Sequence, residues 1–304
     1  MSMGFSWRVA VFLLPALCIY ALFSVFPLLD TLRLGLFTAD ETGAQTFAGW
    51  ANYLTILQDP QWSHAFWNAM GNNLRFFAIH MLVQNPLGLL LAALLSLRGV
   101  RFASAYRTVF FLPTLLSVVI VGFIWQLILS PLWGVSETLL TGVGLGDWFA
   151  PWLGLQNSAL TAISLMSVWQ FVGIPMMLIY AALIAVPEDI IEAALVEGAS
   201  PWRIFWAIRL PLILPTLGLV TILTFVANFN AFDLIYTVKG AMAGPNYSTD
   251  ILGTLFYRTF FGYQSQVASP TMGAAVATIM FLVILVGVAL YFLAVQRRLQ
   301  RFVL

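Results

Sequence analysis

The residues best placed to handle a solute are Asn228, Asn230 and Asp233, three polar side chains inside an otherwise apolar stretch. If the stretch is one helix, Asn230 and Asp233 lie three apart and share a face, while Asn228 points elsewhere. Asp233 is the only acid within any segment long enough to span a membrane. Two further pairs, Trp125-Gln126 and Trp169-Gln170, set an aromatic ring beside an amide. Amides and a carboxylate next to aromatic platforms suit a ring with apolar faces and a hydroxyl rim. The same side chains also suit plain hydrogen bonding between helices. No catalytic or metal constellation accompanies them. His64 and His80 are isolated, Cys18 is the only cysteine and reads as a packing residue, and the only lysine, Lys239, is followed by Gly240, so there is no Gly-Lys-Ser/Thr phosphate loop.

The elements that must carry these residues are membrane helices. The chain has 304 residues, of which 61% are hydrophobic and 8% charged, a composition incompatible with a water-exposed surface. A spanning helix needs about 20 apolar residues. Six stretches qualify: 9–29, 76–97, 109–129, 159–185, 212–236 and 272–295. The expectation is a single all-α integral membrane domain over residues 1–304, without a soluble appendage. The first stretch is too long for a cleaved signal core and lacks a small-residue cleavage site, so it reads as an uncut anchor. Basic residues prefer the cytoplasmic side. An inside N-terminus puts Arg8, Arg98, Arg101, Arg107, Arg203, Arg209, Arg297, Arg298 and Arg301 there, and only Arg33, Arg75, Lys239 and Arg258 outside. Both termini are thus expected in the cytoplasm. Gly173 and Pro175 interrupt the fourth span and Asn85-Pro86 the second, as hinges or as static kinks. The outside segments 30–75 and 130–157 carry Trp50, Tyr53, Trp62, Trp67, Trp133, Trp148 and Trp152, which suit an interfacial belt or a docking surface.

The cytoplasmic loop 186–211 is more than a connector. Val186-Pro187-Glu188-Asp189 looks like a helix start, with proline in the first turn and acids near the positive dipole end. Gly198 is a natural left-handed stop, and Ser200-Pro201 reads as an N-cap and first residue of a second helix running to Leu210-Pro211. A small helical hairpin at the membrane surface follows.

Its sequence, Glu192-Ala193-Ala194, then Glu197, Gly198-Ala199, Phe205, Ile208, Leu210-Pro211 and Pro215, resembles the EAA signature of permease subunits of bacterial ABC importers, with Glu197 where Asp is usual. Phe47-Ala48-Gly49-Trp50-Ala51-Asn52-Tyr53 resembles the G-x-x-N-Y of the sugar-importer permeases related to those for maltose and glycerol phosphate. Tyr106-Arg107 through Pro113 resembles the start of their third span. After span five, Thr237 is separated from Ala243-Gly244-Pro245 by a longer stretch than the family's Thr followed by Gly-Gly-Pro.

The resemblance implies the type I importer permease architecture, with the hairpin docking on a cytosolic ATPase. The coupling residues carried over are Glu192, Ala193, Ala194, Glu197, Gly198, Ala199, Leu210 and Pro211. It further implies a dimer of ATPase subunits that binds ATP and Mg, a second permease subunit, an extracytoplasmic solute-binding protein, and residence in the bacterial inner membrane among its lipids. No cofactor on this chain and no nucleic acid partner is expected. A permease for a non-sugar solute, or an autonomous secondary transporter, remains the alternative; the latter calls for several intramembrane acids.

Overall fold

The computed structural model describes residues 7–40, 43–97, 99–264 and 266–296. Arg98, Arg297, Arg298 and Arg301, used above for orientation, lie outside them. Along the chain, α1 (Trp7–Tyr20) and α2 (Phe26–Leu34) are joined by a π-helical turn. A hairpin of β1 (Phe37–Ala39) and β2 (Gln45–Phe47) follows, then α3 (Ala51–Gln58), α4 (Pro60–Ile79), a π-helical turn at His80–Gln84, and α5 (Asn85–Leu95). Next come α6 (Ala103–Phe111), α7 (Val118–Ile128), α8 (Val135–Gly142), α9 (Gln156–Phe171) and α10 (Gly173–Ile184). The hairpin loop holds α11 (Glu188–Val196) and α12 (Pro201–Ile204), which leads by a π-helical turn into α13 (Leu210–Leu212). The chain continues through α14 (Leu214–Phe229), α15 (Asp233–Lys239), α16 (Leu252–Phe261) and α17 (Pro270–Leu290).

Among the described residues three uninterrupted helices are long and apolar enough to cross a membrane, at Val11–Leu34, Pro60–Leu95 and Pro270–Leu293. Three bent pairs reach that length and hydropathy together and make up to six crossings when each is taken as one span: 96° between Ala103–Leu115 and Val118–Ile128, 43° between Gln156–Phe171 and Gly173–Ile184, and 65° between Pro201–Leu212 and Leu214–Phe229. The protein is therefore a helical membrane protein that carries a short β-hairpin.

The second helix begins at Pro60, well before the expected 76. Asp59 caps it, its Oδ1 accepting from the backbone N–H of Gln61 at 3.0 Å and of Trp62 at 3.2 Å. Its polar residues, which read as loop, are spent on carbonyls: Asn68 Nδ2 donates to the Tyr247 carbonyl at 2.9 Å and Asn72 Nδ2 to that of Asp250 at 2.8 Å. Arg75 donates to Thr161 Oγ1 at 2.8 Å.

The third span was expected as one helix and is broken at Leu116-Ser117, both in extended conformation. A break inside a membrane protein must re-satisfy its backbone. Here Gln170 Nε2 donates to the Leu116 carbonyl at 3.0 Å, and Thr114 Oγ1 donates to the Gln170 carbonyl at 3.0 Å. Span four bends at Val172, where Gly173 allows close approach: a Cβ there would meet the Phe110 carbonyl oxygen at 2.7 Å.

The described residues fall into two compact units. One comprises those up to Phe66 together with Phe256–Phe281. In it the buried Asn52 of the G-x-x-N-Y run donates to the carbonyls of Gly35 at 2.9 Å and Phe37 at 2.7 Å, tying the end of α2 to β1. Cys18, expected as a packing residue, is exposed on α1, as are Phe12 on the same helix and Phe23 in the π-helical turn after it. The other unit, Trp67–Leu255 and the described residues from Leu282 on, holds the larger core. Ala92, Met176, Ile179, Leu183, Ile213 and Val220 form one buried cluster, and Phe76, Leu160, Ile163, Met166 and Ile251 another.

Candidate functional site

Within the larger unit, α4, its π-helical turn, α9, α10, α14 and the segment 230–235 surround a cavity of about 430 Å³. Volumes of this order suit a small molecule. Asn228, Asn230 and Asp233 all line it, but not as one helix face. The helix expected over 212–236 ends at Phe229; Asn230 is its C-cap, and Asp233 opens α15. No glycine or proline marks the break. It is held from elsewhere: Asn73, fully buried, donates through Nδ2 to the Asn228 carbonyl at 3.0 Å and accepts the Leu252 backbone N–H at 2.8 Å. The break after Phe229 redirects the chain so that Asn230 and Asp233 line the same space as Asn228, contrary to the expectation from an unbroken helix.

The hydrogen bonding of the lining is specific. Asn228 Nδ2 donates to the Thr224 carbonyl at 2.7 Å and Asn230 Nδ2 to that of Val226 at 3.0 Å. The buried oxygens Asn228 Oδ1 and Gln84 Oε1 have no partner among the described residues, although buried acceptors are normally satisfied. Asp233 and Asn230 are exposed to the cavity. The ring of Phe232, also in the lining, stacks on Tyr236 with centroids 4.9 Å apart.

Sequence reasoning missed His80, Gln84, Ser167 and Thr224. In the sequence His80 stands isolated. Its Nδ1 lies 2.8 Å from the Phe76 carbonyl, which can only accept, so Nδ1 carries the proton; Nε2 then accepts from Ser167 Oγ at 2.9 Å. The four-residue spacing of His80 and Gln84 was the available signal, since it puts both on one helix face.

Trp125, Gln126, Trp169 and Gln170 do not line the cavity. Trp125 and Trp169 pack edge to face, centroids 5.7 Å apart. Gln126 Nε2 donates to the Thr237 carbonyl at 3.0 Å, and Gln170 closes the break in span three. These four tie helices together, the other role open to them in the sequence.

The hairpin forms as its sequence suggests, with one difference: Pro187 is the N-cap of α11 rather than part of its first turn. Glu188 and Asp189 occupy that turn. Gly198 has φ +81°. The Gly198 N–H donates to the Leu195 carbonyl and the Ala199 N–H to that of Ala194, both at 2.9 Å, the paired bonds of a Schellman stop. Ser200 then caps α12, accepting the Arg203 N–H at 3.3 Å. Glu192, Ala193, Glu197 and Gly198 are exposed, Ala194 and Ala199 half-buried. The roots of the hairpin are anchored: Val186 and Ile213 belong to the buried cluster, and Ile191, Phe205 and Leu210 pack against it; Pro211 is half-buried. Between these roots Val196 is 89% and Trp202 72% exposed.

Residues 84–301 match the family of binding-protein-dependent transport system inner membrane components. The chain belongs to this family. It is 34% identical over 232 residues to the xylose/arabinose import permease protein XacH of Haloferax volcanii, covering 76% of this chain and 71% of that protein. It is 28% identical over 283 residues to the lactose transport system permease protein LacF of Rhizobium radiobacter, covering 93% and 91%. Its fold matches a chain in the crystal structure of a bacterial alginate ABC transporter in complex with alginate pentasaccharide-bound periplasmic protein, with TM-score 0.78, 23% identity, and 94% and 92% of the two chains covered.

Proposed function

We propose that this chain is the permease subunit of an ABC importer that takes a sugar or related carbohydrate from a solute-binding protein and passes it into the cytoplasm. The observation that carries this reading is the cavity of about 430 Å³, with two unpartnered amide oxygens, Asn230 and Asp233 beside the Phe232 ring, and neither arginine nor lysine in its lining. Such a wall accepts hydrogen bonds from hydroxyls and stacks on an apolar ring face; it offers an anion nothing to pair with. The sugars named for the relatives above point the same way.

In this reading the chain binds no cofactor. ATP and Mg sit on a separate ATPase dimer that grips the exposed tip of the hairpin, where Glu192, Ala193, Ala194, Glu197, Gly198 and Ala199 present small and acidic surface and Val196 and Trp202 an apolar one. Leu210 and Pro211 link the tip to span five. Because Val186 and Ile213 root both arms in one buried cluster, a push on the tip displaces α10 and α14, which line the cavity, as rigid bodies. A second permease subunit completes the pathway, and the assembly sits in a bacterial inner membrane as one transmembrane permease domain of this chain.

The test is reconstitution with the ATPase, the second permease and the binding protein. Asn230→Ala and Asp233→Ala should each lower sugar uptake about tenfold, the loss of one good hydrogen bond of about 1.4 kcal/mol, with assembly and basal ATP hydrolysis retained. Normal uptake in both variants, or ATP turnover by the purified chain alone, overturns the proposal.

A further inference from the structure

The start of the third span holds an arginine that neither the cavity nor the hairpin uses. Arg107 lies on α6 with its guanidinium over the Tyr180 ring, 4.5 Å from the centroid. Among the described residues no carboxylate or carbonyl accepts from it. Arg107 opens onto a groove of about 250 Å³ that is also lined by Ser104, Thr108, Phe111, Leu112 and Leu115. The Thr108 hydroxyl is spent on the Ser104 carbonyl at 3.1 Å, whereas the Ser104 hydroxyl has no partner among the described residues. One end of the groove therefore concentrates unspent donors around a fixed positive charge. The other end is apolar and open, Leu112 being 53% and Leu115 70% exposed.

We infer that this groove holds an anionic phospholipid of the inner leaflet, its phosphate on Arg107 and Ser104 and the upper part of an acyl chain along Leu112 and Leu115. Two arguments select this occupant. The first is charge: a guanidinium without an internal acceptor suits a phosphate oxygen pair, and basic residues at a cytoplasmic membrane edge attract anionic headgroups. The second is order along the groove. From Arg107 to Leu115 the helical rise is about 12 Å, and side chains change from cationic to apolar in the sequence a lipid changes from phosphate to hydrocarbon. The Tyr180 ring beneath the guanidinium restrains it by a cation–π contact.

The test is native mass spectrometry of the full-length chain, in detergent and in its assembled transporter, with phosphatidylglycerol, phosphatidylcholine of the same acyl chains, and glycerol phosphate as probes. Phosphatidylglycerol adducts should exceed phosphatidylcholine adducts, and Arg107→Gln should lower them about fivefold, the equivalent of about 1 kcal/mol per basic residue at a membrane surface. Leu115→Glu changes an exposed position, leaves packing within the chain intact and should lower them similarly through repulsion. Unchanged binding in both variants overturns the inference. So does equal binding of the two lipids. Displacement by equimolar glycerol phosphate makes it a free-phosphate site, and loss of the adduct on assembly makes it a surface for the second permease; either result also overturns it.

Discussion

Gly198 ends α11 at φ +81°, yet a Cβ built there meets nothing within 4 Å. Substitution within the isolated chain is therefore opposed by backbone conformation alone, about 1 kcal/mol for alanine, and less for asparagine, which tolerates this region. Gly198→Asn should accordingly outperform Gly198→Ala in ATPase co-purification and uptake measured in the same membranes. Gly198→Asp should be worse than either if the tip docks, because it adds a charge to a surface that becomes buried. Equal behaviour of all three would mean that nothing grips the tip. Gly198 was legible in the sequence because its cause is local: a helix stop, a cap at Ser200 and a proline at the next position all lie within four residues. Asn228, Asn230 and Asp233 were legible as polar residues in an apolar stretch, but their relation to one another was not.

At the scale of elements, the six apolar stretches could be read because length and hydropathy are additive along a chain. The breaks could not. Leu116-Ser117 and the segment Asn230–Phe232 contain neither glycine nor proline, and what stabilises them arrives from far away: Gln170 lies 54 residues from Leu116, and Asn73 lies 155 residues from Asn228. A local pattern carries no trace of a partner at that distance. The same geometry makes Asn73 the residue on which the cavity depends. Asn73→Leu keeps the volume but leaves the Leu252 N–H unpaired in a dry interior, at about 1–3 kcal/mol, and leaves the Asn228 carbonyl held only by the Ala231 N–H at 3.3 Å. The purified variant should unfold at a clearly lower temperature and lose uptake, whereas Asn230→Ala, whose side chain bonds only within its own helix turn and faces the cavity, should keep the parent stability. Identical melting of the parent and Asn73→Leu would remove Asn73 from this role.

For the whole molecule, orientation rests on arginines distributed over several loops, and it fixes where the hairpin can be reached. Reporter fusions at Arg101 and Arg203 should read cytoplasmic, and those at Gln58, Asp147 and Asn246 external. A fusion at Arg298, outside the described residues, should read cytoplasmic as well. An external signal at Arg203 would put the hairpin beyond the reach of a cytosolic ATPase and end the coupling argument. The expected sidedness rests on positive charge sorting by side. The β-hairpin was not legible: its strands are three residues each, too short for an alternating pattern to register.

The 96° bend in the third span also has a meaning for the lipid. Val118–Ile128 has 11 residues and rises about 16 Å, roughly half of a hydrocarbon layer of about 30 Å, and the segment before the bend cannot run along the same axis. Acyl chains that pack against this face meet a ledge instead of a smooth column. Fluid chains order poorly against a ledge, so a molecule seated there is held by its shape as well as by its charge, and exchanges with the surrounding bilayer more slowly than its neighbours do.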